Sequence, residues 1–202
     1  RAQRPASTSC CAPIERGARG AVRAMGDELV RSSAASRPRV RPLRAGPRAA
    51  ALAAFAERTF TDTFGHLYPP EDLAAFVGAK YRAHVIAAEV ADADTRYTLA
   101  LRDGAIVGYC KMGAVDMDVD ATEALELHRL YVDRDAKGSG IAQTLMDDAL
   151  AWARGKGARV MYLSVWENNA RAQAFYRRYG FEHIGEHEFM VGRVADRDFI
   201  WK

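Results

Sequence analysis

Residues 124–154 read as strand, glycine-rich turn and helix, and this junction restricts the fold more than any other stretch. The strand is ALELHRLYV, residues 124–132. Lys137-Gly138-Ser139-Gly140-Ile141-Ala142 follows, and the helix over 139–154 stops at Gly155 and Gly157. Two glycines allow a tight turn and bring bare N–H groups toward a ligand. The helix start adds partial positive charge, which suits the loop to cradle a phosphate. The same glycines would also serve a tight strand–helix connection that binds nothing. A dinucleotide-binding fingerprint is excluded, because Gln143 stands where its third glycine belongs. A P-loop is excluded too, since no Gly-Lys-Ser/Thr follows.

The surrounding sequence supplies partners for this unit. Residues 38–43 alternate and predict a short strand, which Pro42 places at a sheet edge. Ala-rich residues 47–58 predict a helix. Pro69-Pro70-Glu71-Asp72 opens a second helix, and a third covers 80–91. Residues 97–101 and 106–111 flank Asp103-Gly104, a hairpin signal. Residues 160–165 form an apolar run suited to a buried strand, residues 169–179 a helix stopped by Gly180, and two strands follow near 181–189 and 197–201. The order predicts a mixed α/β or α+β sheet with helices packed on it.

Charge divides the chain. Residues 1–50 carry 11 arginines against 3 acidic residues, whereas residues 51–202 carry 18 Lys and Arg against 23 Asp and Glu. The overall net charge of +3 therefore hides an acidic body, which gives no support to nucleic-acid binding. Residues 1–36 lack periodicity, hold few large apolar residues and are expected to be disordered, with residues 37–202 forming one domain. Three origins suit the segment 1–36: a targeting leader, a nucleic-acid-binding tail, or translated upstream sequence with Met25 as the true start. No apolar run is long enough for a transmembrane helix. Cys10, Cys11 and Cys110 have neither zinc spacing nor a disulfide framework, so the default compartment is the cytoplasm. Cys110 reads as a buried strand residue without an activating base. The oligomeric state, a homodimer included, is left open.

A second informative segment runs from Asn168 to Phe181. Asn169, Ala172, Gln173 and Tyr176 share one helical face. Asn169 suits a helix cap, and Tyr176 suits a core position with a satisfied hydroxyl. Taken together, the two segments resemble the GCN5-related N-acetyltransferase (GNAT) family. Its first motif is Arg/Gln-x-x-Gly-x-Gly/Ala, matched by Gly140 and Ala142, with Lys137 where Arg or Gln is usual. Its second pairs an Asn with a Tyr seven residues on, ahead of Gly-Phe, matched by Asn169, Tyr176, Gly180 and Phe181. Within the family the chain is most similar to the bacterial spermidine/spermine branch, through residues 59–64, 125–132, 165–167 and 189–192 and Asp198.

The resemblance implies a mixed sheet of six to seven strands with helices on both faces, and acetyl-CoA as acyl donor. It implies that the pantetheine arm lies along Leu130, Tyr131 and Val132 like an added strand. It also implies that the pyrophosphate sits on the loop amides from Gly138 through Ser139, Gly140 and Ile141 to Ala142. The acceptor is then a small-molecule primary amine, with a polyamine foremost. A protein, peptide, amino-acid or antibiotic amine is the alternative, as is a non-catalytic acetyl-CoA-binding regulator; no metal is called for. A primary amine with a pKa of about 10.4 is neutral in roughly one molecule in 2,500 at pH 7, so a general base is needed. Glu126 matches the strand glutamate that serves as base in relatives. His128, two residues on and on the same face, is a substitute base or a pocket wall. Tyr176 is a phenol able to protonate the leaving thiolate. Asp116, Asp118, Asp120 and Glu123 would attract a polycation, or are simply a solvated acidic loop. Tyr68, Glu71 and Asp72 are weaker acceptor-site candidates.

Overall fold

The computed structural model describes residues 38–44 and 46–202. The expectations for residues 1–36 lie outside the described residues. Seven strands form one sheet in the order β1-β2-β3-β4-β5-β7-β6. They are β1 (Arg39–Pro42), β2 (Arg96–Arg102), β3 (Ala105–Gly113), β4 (Ala124–Val132), β5 (Val160–Trp166), β6 (His183–Val191) and β7 (Val194–Trp201). Five α-helices accompany them: α1 (Arg48–Phe64), α2 (Pro70–Lys80), α3 (Ala83–Ala91), α4 (Ile141–Gly155) and α5 (Ala170–Arg177). β1 through β4 are antiparallel neighbours. β4 and β5 are parallel, with α4 as their crossover. β5, β7 and β6 are again antiparallel. This is the mixed sheet expected from the sequence.

Helices cover both faces because the strands alternate their side chains. Cys110, Leu130 and Val132 pack against Leu145, Met146 and Ala149 of α4. Tyr97, Leu99, Tyr109 and Tyr131 point the other way, toward Leu52, Phe55 and Ala56 of α1. Tyr109 and Tyr131 stack at 5.6 Å. The Cys110 thiol is buried and pushed up to about 12, chiefly by loss of solvation, as a structural cysteine should be.

Two of the elements that exceed their expected bounds do so for a tertiary reason. α1 continues to Phe64, although Thr59, Phe60, Thr63 and Phe64 are modest helix formers. Tertiary contacts override that preference. Phe60 packs on Phe64, Tyr68, Phe76 and Tyr81 at centroid distances of 4.9–6.2 Å. The Thr59 and Thr63 hydroxyls donate back to the carbonyls of Phe55 and Thr59. β7 begins at Val194, not near 197, because the polar run Ala195-Asp196-Arg197 pairs with β6 through a tight Gly192 turn.

Candidate functional site

The β4–β5 ladder consists of Ala124↔Val160, Leu125↔Met161 and Glu126↔Tyr162. Beyond Tyr162, β5 is laddered to β7 on its other edge. The two parallel strands therefore part after Glu126 and open a wedge toward their C-terminal ends. Ligands in open α/β sheets enter beyond the carboxyl ends of strands, and this opening is of that kind. β4 also carries a bulge. Met112 of β3 pairs with Leu127 while Lys111 pairs with Arg129, so His128 is the extra residue. One inserted residue changes the side-chain period locally. Leu127 and Leu130 consequently face the same core under α4.

The bulge brings Glu126 and His128 together. Glu126 Oε1 lies 3.0 Å from His128 Nδ1, and both side chains are buried. Glu126 Oε2 accepts the Asp116 N–H at 2.8 Å. Burial pushes the Glu126 carboxyl up, but His128, the Asp116 N–H and the His187 ring together outweigh that and hold it below the ordinary value. The His128 ring packs where Gly113 has no side chain; a Cβ there would sit 3.0 Å from Nε2. Behind the pair, the buried Arg129 guanidinium lies 4.8 Å over the Tyr81 ring and donates to the Tyr97 hydroxyl at 3.0 Å. Glu89 takes Lys111 Nζ at 2.6 Å and also accepts the Tyr97 hydroxyl. This network braces β4 from the α3 side and had no signature in the sequence.

The glycine loop follows β4. Gly138 and Gly140 hold φ of 80° and 83°, the left-handed region that a residue with a Cβ enters only with strain. Gly140 is the N-cap of α4, and Ser139 Oγ ties the turn to the Ala136 carbonyl at 2.6 Å. A cavity of ≈ 730 Å³ lies over the loop and the start of α5. Val132, Lys137, Gly138, Gly140, Ile141 and Ala142 line it, with Arg171 and Arg178 opposite. Backbone N–H groups at a helix start, flanked by three cations, fit a diphosphate. A second cavity of ≈ 520 Å³ shares Val132 and Lys137 with the first and reaches Trp166, Asn168 and Asn169. Its opposite wall is α1, through Arg58, Asp62 and Thr63, with His66 from the turn that follows. Asp62 and Thr63 belong to the stretch 59–64 that carries the branch resemblance, whereas Arg58 and His66 had no signal in the sequence, because a helix facing a cleft has no pattern distinct from one facing water.

Asn169 caps α5 as anticipated: its side chain accepts the Ala172 N–H at 3.1 Å. Tyr176 is buried on the inner face of α5, edge-on to Phe175 and Phe181. Leu130 and Val132 direct their side chains toward α4 and Tyr131 toward α1, so only their backbone borders the wedge. Tyr68, Glu71 and Asp72 have partners within the fold. Tyr68 donates to Asp196, and Arg193 reaches Glu71 at 2.6 Å and Asp72 at 3.0 Å, so the three clamp the β6–β7 hairpin onto α2. In the acidic loop, Asp120 accepts the Thr122 N–H in a local turn, and the Asp116 backbone serves Glu126 directly.

The profile of the Acetyltransferase (GNAT) family matches residues 52–181, a stretch that contains the bulged strand, the wedge, the glycine loop and α5. The chain belongs to the GNAT family of acetyltransferases. It is an acetyl-CoA-dependent acyltransferase, and its glycine loop and cation-flanked cavity fit that donor. This acetyltransferase is 35% identical over 150 residues to an uncharacterised N-acetyltransferase of Mycobacterium tuberculosis, covering 74% of this chain and 92% of the relative. Over 97 residues, 48% of this chain and 58% of the relative, it is 34% identical to the N-alpha-acetyltransferase RimI of Mycobacterium tuberculosis. Over 99 residues, 48% of this chain and 65% of the relative, it is 29% identical to a "probable spermine N(1)-acetyltransferase" of Bacillus subtilis subsp. natto. The PaiA N-acetyltransferase of Thermoplasma acidophilum, solved with coenzyme A, shares its fold with a TM-score of 0.66 at 21% identity, covering 81% of this chain and 96% of that one. No described helix of this acetyltransferase is long and apolar enough to cross a membrane.

Proposed function

We propose that the enzyme transfers acetyl to a primary amine, with a polyamine as acceptor, by direct attack in a ternary complex. The observation that carries this reading is the buried Glu126–His128 pair at the bulge, where the wedge between β4 and β5 begins. Acetyl-CoA supplies the activated acyl group as a thioester. In this reading the amides from Gly138 to Ala142 hold the pyrophosphate, and Lys137, Arg171 and Arg178 add charge. The backbone of Leu130, Tyr131 and Val132 positions the pantetheine arm, and Asn169 borders its path.

The acceptor arrives as an ammonium and must lose a proton before it attacks. Glu126 is ionised at neutral pH, since its surroundings hold its pKa below the ordinary value. His128 Nδ1, 3.0 Å away, stands close enough to assist that transfer. Glu126 is thus the base, with His128 as its partner. Tyr176 acts as the acid that protonates the departing thiolate. The Glu126 carboxylate and the acidic loop at 116–123 favour a polycationic acceptor electrostatically. Similarity to a relative named as a spermine acetyltransferase accords with this. The similarity to RimI favours a second reading, in which the acceptor is the α-amine of a protein.

The deciding assay is CoA thiol release from acetyl-CoA across spermidine, spermine, putrescine, free amino acids, aminoglycosides and short peptides, with acetyl-CoA binding measured in the same preparation. Saturable release with polyamines is expected. Release only with peptides moves the assignment to a protein acceptor. Binding without release for every amine overturns the catalytic reading and leaves a CoA-binding regulator.

A further inference from the structure

A second group of buried polar side chains lies beyond Glu126 on strands β5, β7 and β6. Asp198 of β7 is fully buried, with 0% of its surface exposed. Its Oδ2 accepts the Ser164 hydroxyl from β5 at 3.0 Å, while its Oδ1 is buried without a hydrogen-bond partner among the described residues. Asp198 stands opposite His187 in the β6–β7 ladder, so the two side chains share a sheet face. His187 Nε2 is likewise buried without a hydrogen-bond partner. Phe189 and Val191, two and four residues along β6, pack into the core beneath α1 and α2, which places His187 on that face of the sheet. His187 also feels the Glu126 charge, which pulls its pKa up against the stronger downward push of desolvation. The His187 ring is therefore neutral at pH 7, and it lies within electrostatic reach of the base.

Buried polar atoms are nearly always hydrogen-bonded, so two orphaned atoms facing each other across one ladder ask for a shared partner. Desolvation also pushes the Asp198 carboxyl up, to about 7, against the Ser164 hydrogen bond and with help from Asp196. A buried carboxyl in that position takes up either a proton or a cation. A carboxylate oxygen and a neutral ring nitrogen are complemented by a protonated amine, which offers several N–H donors and one positive charge. An anion would be repelled, and a hydroxyl would leave the charge unbalanced. Asp198 is two strands across from Glu126 and four residues farther along the ladders, but its carboxyl meets Ser164, which stands one strand across and two residues along from Glu126, about 8 Å at the usual strand spacings. That is the scale of the distance between two nitrogens in an extended diamine, not within one amine.

We propose that Asp198, positioned by Ser164 and flanked by His187, is a specificity site for a second protonated nitrogen of the acceptor, held while the reacting amine faces Glu126 and His128. The proposal rests on the amine-acceptor reading above. It specifies an acceptor with two nitrogens and names the residues that distinguish it from a monoamine.

Calorimetric binding to the CoA-loaded protein tests it without relying on turnover. The probes are α,ω-diamines from diaminobutane to diaminooctane, each compared with the monoamine of equal length. The wild-type protein should bind at least one diamine about 10-fold more tightly than its monoamine, the scale of one charge-assisted hydrogen bond. Asp198→Asn, close to isosteric, should bring that ratio to within about twofold while leaving monoamine affinity unchanged. His187→Gln should lower the ratio partly, and it serves in place of Asp198→Asn if that variant does not fold. A wild-type ratio near one, no binding of any amine, or a ratio that survives both substitutions overturns the proposal. A diamine preference without CoA release would leave this site standing and refute amine acetylation.

Discussion

Replacing Asp198 by Asn removes a carboxyl whose burial has a measurable consequence for folding. In the native protein desolvation raises its pKa to about 7, from an ordinary value of 3.8 in the unfolded chain. The native state therefore binds this proton more tightly than the unfolded state does. The stabilisation is complete below about pH 4 and is lost as the pH rises through 7. A rise of about three pH units at about 1.36 kcal/mol each amounts to roughly 4 kcal/mol. Asn cannot titrate, so the stability of the wild type minus that of Asp198→Asn should fall by about 1.4 kcal/mol per pH unit between pH 4 and 7. The difference curve should be flat on either side of that window. Urea denaturation of both proteins at matched pH values gives this curve, and other titrating groups cancel in it. In thermal melts the same change corresponds to about 10 °C in relative Tm for a domain of this size. A difference curve that stays flat between pH 4 and 7 would refute the reasoning, since it would mean that Asp198 is ionised as readily in the folded protein as in the unfolded chain. The destabilisation above pH 7 is what a protein tolerates when a buried carboxyl serves a ligand.

Three further outcomes are expected. Glu126→Gln should lower turnover about 100-fold or more and move the pH–rate profile while acetyl-CoA affinity is retained; an unchanged profile transfers the proton to His128 or to water. Tyr176→Phe should reduce turnover about 100-fold at unaltered acetyl-CoA affinity, and comparable turnover in that variant would remove the acid role. Gly192→Ala should destabilise by about 2–4 kcal/mol, because Gly192 has φ of 58° and a Cβ there would lie 2.4 Å from Asp72 in α2. Denaturation at wild-type stability would show that the β6–β7 hairpin and α2 separate readily.

Most of the architecture was readable in the chain because its signals are local. The β2–β3 hairpin follows from Asp103-Gly104, β4 from an unbroken run ending at Val132, and α5 from Asn169 at its cap and Gly180 at its end. The glycine loop was readable for the same reason: left-handed φ at Gly138 and Gly140 is a property of single residues. That Glu126 and His128 lie near each other was readable from their spacing on one strand, but their 3.0 Å approach depends on the bulge in β4.

What escaped the sequence depends on contacts between distant residues. α1 outran its propensity because Phe60 and Phe64 found aromatic partners in other elements. Tyr68, Glu71 and Asp72 became a clamp because Asp196 and Arg193 come to them from more than 120 positions away. The opening of β4 from β5, the α1 wall of the cleft and the Ser164–Asp198–His187 group arise where strands far apart in sequence lie side by side. Local patterning could announce a phosphate-cradling turn and a carboxylate beside it. The chain had to close into a sheet before desolvation and cross-strand neighbours could decide which carboxyls ionise and which groups line the cleft.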